Sequence, residues 1–141
     1  MPVGKMQFSW DAPGSIAGLI EKWAPPEYKS EGEYEKDLYA YLNANLNGIE
    51  VTRQFGSSRS RVDICVGRKV YVELKKDLDS TGKLQRLLGQ LQLYANEKWE
   101  IVFLVVVGKS DPNLLAQAKD GLQKIGGGLG DIFNNWRLIR K

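Results

Sequence analysis

Asp63, Glu73 and Lys75 stand in a stretch, Arg61 to Lys76, that reads RVDICVGRKVYVELKK. Two runs rich in Val and Ile flank Gly67, Arg68 and Lys69, the pattern of two strands joined by a tight turn. Side chains alternate faces along a strand. Ile64, Val66, Val70, Val72 and Leu74 are therefore predicted to form one apolar face. Asp63, Cys65, Tyr71, Glu73 and Lys75 fall on the other. If the turn residues form the loop, Val66 pairs with Val70 and Asp63 lands opposite Glu73. Two carboxylates and an ammonium then share a few ångströms of one sheet face. Oxygen ligands of this kind suit a hard divalent cation that keeps part of its water shell. A neighbouring amine could orient or help deprotonate such a water. The plainer alternative is a pair of surface strand charges held by Lys75.

The rest of the composition narrows the chemistry. With no histidine and one cysteine, Cys65, the 141-residue chain has no imidazole base, no His-based triad and no internal disulfide. Cys65 reads as a small buried apolar residue. The formal net charge is only +3, yet Arg53 to Lys76 holds seven basic residues against two acidic ones. Positive charge is thus gathered around the acid pair, as an anionic substrate would need. A basic edge that discourages strand pairing explains that observation equally well. The apolar runs are too short to span a bilayer and no leader pattern opens the chain, so the cytoplasm is the simplest location.

The elements that must position these groups follow from periodicity. Ile16, Leu19, Ile20 and Trp23 predict a short helix capped by Asp11 or Ser15 and ended by Pro25 and Pro26. Residues 1–29 read as an appendage to a single domain, 30–141. Ser30 and Glu33 fit a capping box opening a helix to about Leu46. Leu38, Leu42 and Leu46 form its apolar stripe, and Glu35 lies on that side. A carboxylate there either escapes to water along its stem or faces the sheet. Ile49 to Phe55 reads as a strand, followed by the polar loop Gly56 to Ser60 and the hairpin. Ser80 or Thr81 caps a helix with Leu84, Leu87, Leu88, Leu91 and Ala95 on one stripe and Lys83, Gln90 and Tyr94 along its edge. Ile101 to Val107 is an unbroken apolar run, the mark of a strand buried on both faces. Strand, helix and buried strand imply a crossover to a parallel neighbour. Asp111 and Pro112 open a last helix, Gly126, Gly127, Gly128 and Gly130 make a turn, and Trp136 to Ile139 is a candidate edge strand. Gly108, Lys109 and Ser110 resemble the end of a P-loop, but the required glycine is Phe103.

Helix, three mostly antiparallel strands, helix and parallel strand, with Asp63 on the second strand and Glu73-Leu74-Lys75 on the third, resemble the PD-(D/E)xK nuclease superfamily over Ser30 to Val107. Glu35 matches the acid that many members carry on the first core helix. Gln90 and Tyr94 match the Gln-x-x-x-Tyr motif of the RecB-like branch. Val62 stands where the family prefers proline. The small size is similar to that of Holliday-junction resolvases, so the branch stays open.

The resemblance implies an α/β restriction-endonuclease-like fold with an αβββαβ core, a mixed central sheet flanked by helices. It implies a DNA nuclease, endonucleolytic and open to structure specificity, that uses Mg²⁺, or Mn²⁺ in its place, and leaves 5′-phosphate and 3′-hydroxyl ends. Asp63, Glu73, Lys75 and Glu35 would be catalytic. The metal would lie on Asp63, Glu73 and the Leu74 carbonyl, with Glu35 reaching it through water. Gln90, Tyr94, Lys83, Arg53, Arg59, Arg61 and Lys76 would meet substrate. Cutting both strands makes a homodimer attractive, with surfaces around Trp10 and Trp23 or Phe133 and Trp136. Two other readings remain: a nuclease-fold subunit that binds nucleic acid or assembles without cutting, and a nuclease toxin acting on RNA.

Overall fold

The computed structural model describes residues 12–126 and 135–141. Among them, the element order is α1 (Ala12–Lys22), α2 (Glu31–Asn45), β1 (Val51–Gly56), β2 (Arg61–Val66), β3 (Val70–Lys76), α3 (Thr81–Asn96), β4 (Ile101–Val107), α4 (Pro112–Gly126) and β5 (Asn135–Arg140). The strands form one sheet in the order β1-β2-β3-β4-β5. The β1–β2 and β2–β3 pairs are antiparallel, and β4 runs parallel to both β3 and β5. The chain is therefore an α/β fold, a five-stranded mixed sheet with helices packed against it. The Asp11 cap, Trp10, Phe133 and the glycines at 127, 128 and 130 lie outside the described residues.

Alternation along β4 divides the core. Ile101, Phe103, Val105 and Val107 pack with Ile16, Ile20 and Trp23 of the first helical segment and with Tyr34, Leu38 and Leu42 of α2. Val102, Leu104 and Val106 pack with Leu84, Leu87, Leu91 and Tyr94 of α3 and with Ala118 and Leu122 of α4. Every β4 residue is buried, as an uninterrupted apolar run between two helical layers requires. The hairpin expectation holds on its apolar side, where Ile64, Val66, Val70, Val72 and Leu74 all join the α1/α2 layer. Val66 does pair with Val70.

Several expectations change. The first strand begins at Val51 rather than Ile49. Ser15 lies inside α1, not at its cap. Ser30 does cap α2, accepting from the Glu33 amide at 3.2 Å, but Glu33 Oε1 accepts from the Ser30 hydroxyl at 2.9 Å instead of reaching the Ser30 backbone. Ser80 rather than Thr81 caps α3. Trp23 and Trp136 are buried in the two cores, so neither offers a dimer surface. Trp23 is fixed there by its indole N–H, which donates to Asp37 at 2.9 Å. Trp136 belongs to β5, the edge strand, which extends over Asn135–Arg140. Among the described residues, no helix is long and apolar enough to cross a membrane.

Candidate active site

The site forms where the regular pairing of β2 with its neighbours fails. The β2–β3 register runs through Ile64↔Val72 and goes no further toward Asp63 and Glu73. The local reason is a side chain: Asp63 Oδ2 accepts a hydrogen bond from the Leu74 amide at 2.8 Å, a role a strand carbonyl would otherwise take. On the other flank, Arg53↔Ile64 and Phe55↔Val62 bracket Gln54, which stands level with Asp63 at φ +53°. A glutamine in the left-handed region stores of order 1 kcal/mol of strain. Both strands change face at this level. Val51 packs in the α1/α2 layer but Phe55 in the α3/α4 layer, and Ile64 and Val62 divide the same way. Strict alternation could not have foreseen that reversal.

Asp63 and Glu73 emerge at this break. Glu73 is buried and Asp63 half-buried. Burial, then the charge of Glu73, pushes the Asp63 carboxyl up to about 8 from 3.8; the Leu74 amide opposes the shift. Burial also raises Glu73, against the Lys75 ammonium and the Tyr94 hydroxyl. Lys75 Nζ lies 3.6 Å from Glu73 Oε2. Among the described residues, Asp63 Oδ1 accepts no hydrogen bond, and no buried side-chain oxygen lacks a partner. Oδ1 must therefore reach solvent, open to a ligand.

Tyr94, fully buried on α3, ties the site to its backbone. Its hydroxyl lies 2.8 Å from Glu73 Oε1 and 2.9 Å from the Arg61 carbonyl. Burial and the charge of Glu73 keep it protonated. One hydroxyl proton cannot serve two acceptors fully. With Glu73 protonated, the carboxyl donates to Tyr94 and Tyr94 donates to Arg61. With Glu73 ionised, Tyr94 turns to the carboxylate and Gln90 Nε2, 3.4 Å from the same carbonyl, holds Arg61. The Gln90–Tyr94 pair thus supports Glu73 and the β2 backbone from behind. Buried as it is, Tyr94 positions an acid and is not exposed to a substrate.

Glu35 faces the sheet rather than water. Its Oε2 accepts from Arg53 Nε at 2.9 Å and pairs with a second guanidinium nitrogen at 2.8 Å, while Oε1 accepts from Gln54 Nε2 at 2.9 Å. Both oxygens are engaged by side chains of β1, and the guanidinium of Arg53 is taken up in turn by Glu35. Its negative charge nonetheless adds to the upward push on Asp63. Among the described residues, no group of three or more His, Cys, Asp or Glu side chains gathers as a metal site. Arg53→Ala would strip a buried carboxylate of its main partner, leaving Gln54. We expect a loss of about 2 kcal/mol in urea unfolding; unchanged stability would mean the pair is idle.

The remaining basic residues divide into committed and uncommitted. Lys76 pairs with Asp77, and Lys83 Nζ reaches Asp79 at 2.9 Å and the Asp77 carbonyl at 3.0 Å. Arg59 and Arg61 are exposed, and their guanidinium groups make no bond among the described residues. Cys65 is buried, its thiol pushed up to about 11 chiefly by burial. Sequence reasoning missed Glu31, whose Oε1 accepts from the Lys76 amide at 2.9 Å and whose charge raises both Asp63 and Glu73. The available signal was its place four residues before Glu35, on the same helix face. No protein-family model matches the chain, and no curated protein or solved structure matches it either.

Proposed function

We propose that the chain is a divalent-metal-dependent nuclease that hydrolyses phosphodiester bonds of DNA. One observation carries the reading: two desolvated carboxylates, Asp63 and Glu73, meet beside the Lys75 ammonium at a break in the sheet. Acids so arranged hold protons until a cation makes their ionised forms favourable. The donor set suits Mg²⁺, which takes one or two carboxylates and keeps several waters. Asp63 Oδ1 and Glu73, with the Leu74 carbonyl beside them, are the groups that would hold it. Bound there, the ion would supply neutralising charge at the phosphoryl oxygens and a more acidic water.

The chain's own residues supply the rest. Tyr94 donates to ionised Glu73 and fixes its direction. The Leu74 amide holds the Asp63 carboxylate in place. Lys75, partly exposed, presents an ammonium to the charge that develops on the phosphoryl group. Arg59 and Arg61 grip flanking phosphates with salt-sensitive, sequence-independent affinity. Glu35 braces β1 through Arg53 and Gln54, beneath the Asp63 level.

A second reading, a binding module that does not cut, is favoured by the absence of a third gathered acid among the described residues. Incubation of the protein with branched, duplex and single-stranded DNA and with RNA separates the two. We expect DNA cleavage with Mg²⁺ or Mn²⁺ and none in EDTA. Binding without cleavage of any substrate would overturn the nuclease reading in favour of the module. Cleavage confined to RNA would replace the substrate and support the toxin-like alternative.

A further inference from the structure

Beside the acid pair lies a pocket of about 190 Å³ lined by Glu31, Lys75, Lys76, Leu78, Lys83 and Arg86. It begins where the candidate active site ends, because Lys75 lines it and also pairs with Glu73. Four cations face one acid in its wall. Three of the cations already have partners: Lys75 has Glu73, Lys76 has Asp77, and Lys83 has Asp79. Arg86 has none among the described residues. Its guanidinium folds back toward the first turn of α3, with Nη1 3.7 Å from where a Cβ on Gly82 would sit. A forked guanidinium at the positive end of a 16-residue helix is matched to a phosphate.

We propose that this pocket seats the terminal phosphate monoester of a nucleic-acid strand whose adjoining phosphodiester lies at Asp63 and Glu73. The inference rests on the nuclease reading and specifies its substrate: a phosphorylated strand end. Its volume is that of a small group, below the roughly 300–1,000 Å³ of sites for drug-sized molecules. The lining holds no aromatic ring on which a base could stack. Charge selects the monoester, which carries close to two negative charges at neutral pH, over an internal diester with one. Glu31 limits the surplus on one wall while its Oε1 fixes the Lys76 amide.

The test reads binding apart from cleavage. Fluorescence anisotropy in EDTA compares short single strands and duplexes carrying a 5′-phosphate, a 3′-phosphate or only hydroxyl ends, with the label placed internally. We expect one phosphorylated end to bind about tenfold more tightly than the hydroxyl end, the gain of a charge-assisted contact. Arg86→Ala should erase that gain and leave hydroxyl-ended affinity nearly unchanged, Arg86→Lys should keep part of it, and inorganic phosphate should compete for it. Equal affinity for all ends in the wild type, or a preference that survives Arg86→Ala, overturns the proposal. Cleavage of a circular DNA, which has no end, is scored separately. An end preference without any cleavage would sink the nuclease reading and keep the pocket. Cleavage without an end preference would do the reverse.

Discussion

Asp63→Asn is expected to abolish cleavage and yet stabilise the metal-free protein in alkaline solution. The stability half follows from linkage. Asp63 titrates near 8 in the folded chain and near its ordinary 3.8 when unfolded. Between those values the folded state holds a proton that the unfolded state has released. Stability contributed by this group is thus fully present below the unfolded value and falls as pH rises, until the penalty is complete above the folded value. Asparagine keeps an oxygen for the Leu74 amide and has nothing to ionise. In EDTA at about pH 9 the variant should be more stable by a few kcal/mol, the difference shrinking as pH falls toward the ordinary carboxylate range. Urea unfolding across that range measures it. Mg²⁺ reverses the ranking: the wild type gains by mass action and the variant does not. Cleavage should fall by at least about a thousandfold, since the variant has lost the open carboxylate oxygen that a metal would take. A wild type with pH-independent stability, unmoved by Mg²⁺, would refute the idea that Asp63 is a protonated acid awaiting a cation.

What could be read from the residue order and what could not divide along a physical line. The hairpin, the buried β4 run and the leucine stripe of α2 were legible because burial imposes a local period that the chain must repeat. The same rule failed at Asp63, where a side chain replaces a strand partner. Val62 and Ile64 then pack on opposite layers although they are two residues apart. No periodicity announces a carboxylate that competes for a backbone amide, and Gln54 carries no local mark of its positive φ.

Partners were less legible than positions. Glu35 falls on the inner side of α2 as its spacing requires, but its choice of Arg53 and Gln54 depends on β1 passing beneath the helix. Arg53 therefore reads as a phosphate contact in sequence and as a brace in the fold. Tyr94 reads as an edge residue of α3, yet the break in β2 brings the Arg61 carbonyl and Glu73 within reach of one hydroxyl. Arg86 gave no signal at all, because only the fold gathers it with Lys75, Lys76 and Lys83 around one small cavity.

Glu73→Gln should separate chemistry from folding more sharply than truncation. Glutamine has nearly the volume of glutamate, and its oxygen can still accept from the Tyr94 hydroxyl. It removes only the charge, and with it the partner 3.6 Å from the Lys75 ammonium. Because burial already disfavours the ionised acid, the variant should fold at least as stably as the wild type in EDTA. Cleavage should nevertheless drop by about a thousandfold or more, with nucleic-acid binding retained, because Arg59 and Arg61 are untouched. Tyr94→Phe is the graded companion. It withdraws the hydrogen bond that holds Glu73 down, so the carboxyl rises further and a metal must displace a more tightly held proton. Near neutral pH we expect roughly tenfold slower cleavage, the worth of a hydrogen bond to a charged group, with the acidic limb of the pH–rate profile moved upward and activity largely recovered in alkali. Full activity in Glu73→Gln would remove this acid from the reaction. A Tyr94→Phe rate that stays low at every pH would mean that the hydroxyl holds the fold of the site rather than the protonation of Glu73.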